Sequence, residues 1–76
     1  MTPYIAIVQQ PAVASVILLD ETGRKQLLFQ HARSWCEGYA RAAADYEAGD
    51  DGKTLEIRCY HCAAGETLEL PWILID

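Results

Sequence analysis

The chain has 76 residues, of which 51% are hydrophobic and 22% are charged. This composition excludes an intrinsically disordered protein, and the length predicts a single domain over residues 1–76. The formal net charge of −5 comes from 11 acidic and 6 basic residues. It argues against sequence-independent binding to nucleic acid or to an anionic membrane, because both need clustered Lys and Arg.

The sequence also bears on the compartment of the protein. No apolar run approaches the roughly 20 residues that span a bilayer, and the N-terminal stretch lacks the basic region of a signal peptide. Three cysteines are an odd number, which indicates free thiols rather than a disulfide framework. We therefore expect a soluble, unprocessed protein of the reducing cytoplasm.

Three strands are predicted before the helix. Residues 4–8 (YIAIV) are short, apolar and β-branched, and residues 13–19 (VASVILL) give the strongest strand pattern of the chain. The turn that follows has Gly23 available for a positive φ angle. Residues 25–29 then return as the second arm of a hairpin.

A helix is predicted from Ser34 to Ala48. Ser34 and Glu37 have the spacing of a capping box, and Gly49 suits the left-handed position after the last turn. Glu37, Arg41 and Asp45 are expected to form a charge ladder on the outer side. The stripe expected to face the sheet has three- and four-residue spacings and comprises Trp35, Cys36, Tyr39, Ala42, Ala43 and Tyr46.

Two strands are predicted after the helix. Residues 55–61 alternate, with Leu55, Ile57, Cys59 and His61 on one face and Glu56, Arg58 and Tyr60 on the other. Residues 67–75 form the last strand, which Pro71 places at an edge or at a bulge. The predicted fold is therefore a two-layer α+β domain, with one helix packed on a mostly antiparallel sheet in the order βββαββ.

One helix cannot cover both faces of this sheet. The face opposite Leu19, Leu55 and Trp72 is expected to carry further apolar side chains, namely those of Ile5, Ile7, Val16, Leu18, Leu28, Ile73 and Ile75. An exposed apolar face usually marks an interface, which predicts a homodimer or a partner packed on the sheet. In the alternative interpretation the sheet curls and buries part of this face itself.

Cysteine and histidine give a second hypothesis. Cys36, Cys59, His61 and Cys62, with His31 nearby, have the side-chain chemistry of a zinc site. Their spacing lacks the usual pair of zinc knuckles, and buried core thiols are the alternative. Cys62 beside His61 is weighed as a thiolate pair, but adjacent strand residues face apart. We expect no cofactor and no enzymatic activity.

Acidic residues gather where the helix ends. Asp45, Glu47, Asp50 and Asp51 lie near a helix C-terminus, where the dipole favours Lys or Arg. Such a patch predicts binding to a protein with a basic surface and no direct binding of nucleic acid or membrane. The alternative is a solvated, polar loop that keeps the protein soluble.

The architecture resembles that of small inhibitors encoded by phages and mobile elements, anti-CRISPR proteins in particular. The resemblance covers the hairpin, the Ala-rich helix SWCEGYARAAADYEAG and the closing segment LEIRCYHCAAGETLELPWILI. It implies a non-catalytic protein that blocks a nucleic-acid-handling complex, such as a CRISPR effector. The opening strand and single helix are also similar to HicB-type antitoxins, although residues 30–33 are Gln-His-Ala-Arg where those have a Pro-Gly-Cys turn.

Three functional hypotheses follow. The first is a protein-binding or inhibitor module that acts through its acidic helix-end loop and an apolar sheet face. The second is a small zinc- or thiol-dependent protein. The third is a structural homodimer or antitoxin-like subunit without a ligand.

Overall fold

The computed structural model describes residues 2–67 and 73–75, apart from the side chains of Asp50 and Leu74. Within these residues one α-helix packs on a mostly antiparallel sheet, which confirms the predicted α+β fold and its order βββαββ. The last strand has only two described residues. In chain order the elements are β1 (Tyr4–Gln9), β2 (Ala14–Leu19), β3 (Lys25–His31), α1 (Arg33–Ala48), a 3₁₀ turn (Gly49–Asp51), β4 (Glu56–His61) and β5 (Ile73–Leu74).

Strand β1 lies inside the sheet, whose spatial order is β3-β2-β1-β4-β5. It pairs antiparallel with β2, where Ile5 lies opposite Leu18. It pairs parallel with β4, where Ile5 lies opposite Ile57. Because residues directly opposite each other point to the same face, these three side chains share one face of the sheet. Strand β3 lies at one edge.

The helix covers the face on which Ile5 lies. The buried residues of this cluster have relative exposures of 6% or less and are Ile5, Ile7, Ala14, Val16, Cys36, Ala40 and Ala44. Leu55, Ile57 and Cys59 pack against the cluster from β4 and the residue before it. Tyr60 packs on the other face, so the alternation predicted for this strand is confirmed for these residues.

The predicted partition of apolar residues between the two faces is wrong. Ile5, Ile7, Val16, Leu18 and Leu28 do not lie opposite Leu55 but share the helix-covered face with it. Leu19 lies on the other face. In β1, β2 and β4 the side chains alternate between the two faces as expected. The error lies in which residues of neighbouring strands share a face, because this depends on pairing register and cannot be seen in the pattern of a single strand.

A bulge in β3 explains why two consecutive residues face the helix. The register shifts between Val16 and Ile17, which pair with Phe29 and Leu27. Leu28 is therefore the extra residue, and both Leu28 and Phe29 pack on the helix side of the sheet. Leu27 is left 54% exposed.

The second face of the sheet is buried as well. Its cluster has exposures of 8% or less and comprises Tyr4, Ala6, Val8, Ile17, Leu19 and Cys62. The premise of an exposed second face is therefore wrong, and the alternative of a self-buried face agrees with these exposures. The homodimer through the sheet face stays a prediction, but it no longer has an exposed apolar face as its basis.

The buried line of the helix differs from the predicted stripe. The fully buried residues of α1 are Cys36, Ala40 and Ala44, which recur at every fourth position. Trp35 is 65% exposed and Tyr46 is 83% exposed, so the predicted packing of these aromatic rings on the sheet is wrong. Large rings would hold the helix away from the sheet, whereas alanine allows a close approach. Of the predicted set, Cys36 is buried and Ala43 is half-buried.

The ends of the helix depart from the predicted capping. Ala32 is the N-cap residue and makes no side-chain cap bond, so the predicted capping box of Ser34 and Glu37 is wrong. The helix begins at Arg33, and Arg33 Nε donates to Glu37 Oε1 at 3.2 Å. At the other end Gly49 has the expected positive φ of 77°, although its ψ of −152° lies outside the left-handed helical region.

The predicted charge ladder of Glu37, Arg41 and Asp45 is wrong. Glu37 pairs with Arg33 rather than with Arg41, and Asp45 accepts a hydrogen bond from Thr54 Oγ1 at 2.9 Å. Of the predicted last strand, residues 67–75, Ile73 and Leu74 lie in β5, while residues 68–72, with Pro71, lie outside the described residues.

The turn between β2 and β3 is built around Asp20. Its Oδ1 accepts hydrogen bonds from the Thr22 hydroxyl at 2.6 Å and from the backbone N–H groups of Thr22 and Arg24, both at 2.9 Å. Its Oδ2 accepts from Arg24 Nε at 3.1 Å. These donors, the Thr22 hydroxyl foremost, lower the pKa of Asp20 from 3.8 to about 2. Gly23 has the predicted positive φ, at 86°.

The close approach of helix and sheet predicts the effect of enlarging an alanine. Ala40→Leu should destabilise the protein by about 1–3 kcal/mol, because Ala40 is fully buried between helix and sheet. Ala42→Leu, on the exposed side of the same helix, should change stability by about 0.5 kcal/mol or less. Thermal unfolding of both variants measures the difference, and equal melting temperatures would contradict the described packing.

The hydrogen bonds to Asp20 predict a pH dependence of stability. The folded-state pKa lies below the unfolded value, so the ionised carboxylate stabilises the fold above about pH 4, and this contribution is lost as the pH falls through about 2. Urea unfolding of the wild type and Asp20→Asn at pH 6, 3 and 2 should show their stabilities converging on acidification. Glu47→Gln is the control, and a difference that does not shrink toward pH 2 would refute the prediction.

Candidate functional site

Three of the four predicted acidic site residues have described side chains. Asp45, Glu47 and Asp51 are all exposed at the C-terminal end of α1, as the sequence predicts. Asp51 Oδ1 accepts the backbone N–H of Lys53 at 2.9 Å, which holds the turn after the helix. The side chain of Asp50 lies outside the described residues.

A groove of about 380 Å³ lies beside this helix end, and we call it the acidic groove. Its lining includes the carboxylates of Glu47, Asp51 and Glu56, together with Lys53. Asp45 does not line it but bonds Thr54 nearby. Glu56 is a site residue that the sequence pattern does not indicate, because its position depends on where β4 begins beside β1. The structure therefore brings together two predicted acidic residues and one unpredicted one.

Glu56 also belongs to a charged network on the face that the helix does not cover. Arg58 Nη2 donates to Glu56 Oε2 at 3.0 Å, which lowers the pKa of Glu56. The Arg58 guanidinium lies 4.0 Å from the centroid of the Tyr4 ring, within cation–π range. Burial raises the pKa of Tyr4, and its hydrogen bond with Tyr60 raises it further. These contacts anchor one wall of the acidic groove to the sheet.

The predicted zinc ligands do not converge. Cys36 lies in the cluster under the helix, whereas Cys62 lies in the cluster on the opposite face of the sheet. Cys59 packs on the helix side, and His61 is exposed at the end of β4. Within residues 2–67 and 73–75, no three His, Cys, Asp or Glu side chains are placed to share a metal ion.

Both buried thiols are occupied as hydrogen-bond donors. Cys36 Sγ donates to the carbonyl oxygen of Ala14 at 3.2 Å and lies 3.4 Å from that of His31. Cys62 Sγ donates to the carbonyl oxygen of Thr67 at 3.2 Å. These contacts join the helix start to β2 and the loop after β4 to the following chain, as expected for core thiols.

A second surface runs along α1 and consists of Trp35, Tyr39, Ala42 and Tyr46, which we call the aromatic stripe. Tyr39 is 40% exposed, and the other two rings are more exposed. At about 100° per residue, the stripe lies roughly a third of a turn from the buried line of the helix. The sequence places these rings on one stripe correctly but assigns the stripe to the core.

Side chains of β3 support the aromatic stripe from below. The ring of Phe29 stacks on Tyr39 with centroids 4.5 Å apart and an interplanar angle of 12°. His31 stacks on Phe29 at 6.0 Å and meets Trp35 edge-on at 5.9 Å. The stripe therefore lies on the β3 side of the helix, and two of its rings are held by neighbours rather than free to rotate.

The aromatic stripe contains a groove of about 380 Å³, which we call the aromatic groove. It is lined by Leu28, Tyr39, Ala42, Ala43, Tyr46 and Glu47. Glu47 lines both grooves, so the apolar surface and the acidic surface adjoin at this residue. The arrangement suits recognition of a protein surface better than enclosure of a small molecule, because both grooves are open.

Comparison with known proteins gives no family. Searches of protein-family models, curated proteins and solved structures each found no match to this chain. The described helix is too short and too polar to cross a bilayer. Function is therefore inferred from the geometry of the two grooves.

The environments of the thiols predict an order of reactivity. Cys59 is half-buried, whereas Cys36 and Cys62 are 0% and 1% exposed and donate to carbonyl groups. Iodoacetamide should therefore modify Cys59 first in the folded protein and the other two at least about tenfold more slowly, since a tenfold protection needs only about 1.4 kcal/mol of opening free energy. Peptide mass spectrometry measures the three rates, with the urea-unfolded chain as control. Equal rates in the folded state would be inconsistent with two buried thiols.

Proposed function

We propose that the protein is a non-enzymatic protein-binding module whose main interface is the aromatic stripe. The observation that carries this proposal is the exposure of Trp35, Tyr39 and Tyr46 on one side of a helix. An exposed apolar patch of this kind is often functional, and Trp and Tyr are enriched at interfaces, where they dominate the binding energy.

The energetics favour a partner over a purely structural role. Trp35 and Tyr46 leave most of their surface in water, so they contribute little to the core of their own domain. Fully burying a large apolar side chain is worth about 1.5–3 kcal/mol. A partner that covers these two rings therefore gains several kcal/mol, and the conformation of one of them, Trp35, is partly fixed beforehand by its edge-on contact with His31.

The surroundings of the described thiols and histidines support a non-enzymatic role. Cys36 and Cys62 are buried and donate to backbone carbonyl groups. His61 is exposed, and His31 packs against aromatic rings. A catalytic thiol needs a base within hydrogen-bond reach, whereas the hydrogen bonds of Cys36 and Cys62 go to backbone carbonyl groups.

A second candidate uses the acidic groove. Three carboxylates, those of Glu47, Asp51 and Glu56, line an open groove beside the helix end. This charge favours a partner with a basic surface through electrostatic complementarity. A partner that handles nucleic acid has such a surface, and a block of that partner is the role implied by the resemblance to anti-CRISPR proteins.

Site-specific photocrosslinking tests the proposal and separates the two candidates. A benzoylphenylalanine at Ala42 places the reactive group on the aromatic stripe, and one at Lys53 places it in the acidic groove. One at Arg41 reports on the charged side of the same helix and is the matched control. In the native cells, position 42 should give a specific protein adduct, while position 41 gives none.

Each outcome of the photocrosslinking decides between the candidates. Adducts from position 42 support the aromatic stripe, and adducts from position 53 only would move the interface to the acidic groove. No adduct from either position, with irradiation yields verified by mass spectrometry, would refute a protein-binding role for these surfaces. The mass of the adduct identifies the partner.

A further inference from the structure

We infer that the aromatic stripe is covered by a second copy of this chain, through antiparallel packing of two α1 helices. This inference rests on the proposed function, because it names the protein that occupies the stripe. Four observations carry it: the spacing of the stripe, the shape of its groove, its symmetry, and the charges at the two helix ends.

The spacing of the stripe is that of a helix–helix seam. Trp35, Tyr39, Ala42 and Tyr46 follow one another at intervals of four, three and four residues, the alternation of the a and d positions in a coiled coil. A seam with this period keeps facing a neighbouring helix over its whole length. The rest of the exposed helix surface carries charged side chains and has no such pattern.

The aromatic groove has the form of a hole that receives a side chain from a facing helix. Such a hole is formed by four residues of one helix. The helix residues Tyr39, Ala42, Ala43 and Tyr46 line the groove with this spacing, together with Glu47 and with Leu28 of β3. Its floor is alanine and its two ends are tyrosine rings. An aromatic side chain from the facing helix therefore meets a tyrosine at each end of the groove and small residues between them.

The stripe is symmetric about a single point between Ala40 and Arg41. An antiparallel copy with its two-fold axis at that point places Trp35 opposite Tyr46 and Tyr39 opposite Ala42. Each copy then inserts Tyr39 toward the hole around Ala42 of the other, so a large side chain faces a small one twice. Antiparallel packing pairs a positions with d positions, which is the pairing that this register gives.

The charges at the helix ends fit an antiparallel neighbour. The first turn of α1 has no acidic residue and no side-chain cap, and the last turn has no basic residue. Glu47 instead places negative charge at the end where the dipole is already negative. In the antiparallel pair, this end lies beside the positive N-terminal end of the other helix, so each copy compensates the other.

The exposed aromatic area indicates how tightly the two copies can associate. Aromatic side chains bury about 150–250 Å² each, so the exposed fractions of Trp35, Tyr39 and Tyr46 amount to roughly 300–470 Å² per copy. A standard stable interface buries about 800 Å² per partner. The rings thus supply about half of a standard interface, and the dimer is expected to be weak and concentration-dependent.

Sedimentation velocity of the full chain, from about 10 μM to about 1 mM, tests the dimer. The wild type should shift reversibly from monomer toward dimer over this range. Ala42→Glu should raise the dissociation constant at least tenfold, because it places a carboxylate in the hole that receives Tyr39. Arg41→Gln changes the net charge by the same amount on the neighbouring side of the helix and should leave the constant within about threefold.

Crosslinking tests the orientation in a Cys59→Ser background. Trp35→Cys and Tyr46→Cys chains, when mixed, should be joined by a short bismaleimide, while each chain by itself is not. Equivalent positions of an antiparallel pair are about 16 Å apart along the axis, at 1.5 Å rise per residue. In the mixed dimer the two cysteines lie opposite each other at one end of the seam. At the other end the native Trp35 and Tyr46 remain opposite each other.

Three results would overturn the inference: a monomer at every concentration, a dimer unaffected by Ala42→Glu, or crosslinking of each cysteine variant by itself. None of these refutes the proposed function if position 42 photocrosslinks to a different protein. Adducts between two copies of this chain from position 42 support both, and the absence of any adduct from this position refutes both.

Discussion

The structure depends on how closely α1 approaches the sheet. Ala40 and Ala44 are fully buried and present only a methyl group, so the helix backbone lies near the strands that carry Ile5 and Val16. The rings of Trp35, Tyr39 and Tyr46 lie instead on the flank of the helix, where Phe29 of β3 stacks on Tyr39. The alanines that let the helix pack closely on the sheet therefore also explain why the aromatic stripe is exposed.

The two candidate surfaces share one residue. Glu47 lines the aromatic groove and the acidic groove, and it lies at the end of the helix where its charge is least favourable for the helix itself. Positive charge from outside the helix can offset the unfavourable interaction between Glu47 and the helix dipole. In the proposed dimer the neighbouring helix start supplies that compensation, while Asp51 and Glu56 lie in the acidic groove, the surface proposed for a basic partner.

The sequence predicts what depends on neighbours along the chain and misses what depends on neighbours in space. The start of the helix is predicted within one residue, and the alternation of Leu55, Ile57 and Cys59 is confirmed, because both follow from local periodicity. The face that Ile5 shares with Ile57 follows from strand register, and the bulge at Leu28 leaves no local pattern. The acidic site is predicted in part, since Glu47 and Asp51 are only four residues apart in sequence, whereas Glu56 joins them through pairing of β4 with β1.

The parallel pairing of β1 with β4 joins two strands that are far apart in the chain. β1 and β2 are joined by a short turn and can pair early, but the other edge of β1 waits for a strand from the last third of the chain. Closing that long loop costs conformational entropy before the contacts between the strands form, and this cost slows folding. Until then, a chain emerging from the ribosome presents an open edge with Ile5 and Ile7, an edge suited to pairing with other chains. Pairing of β4 with β1 therefore removes the edge at which newly made chains would associate.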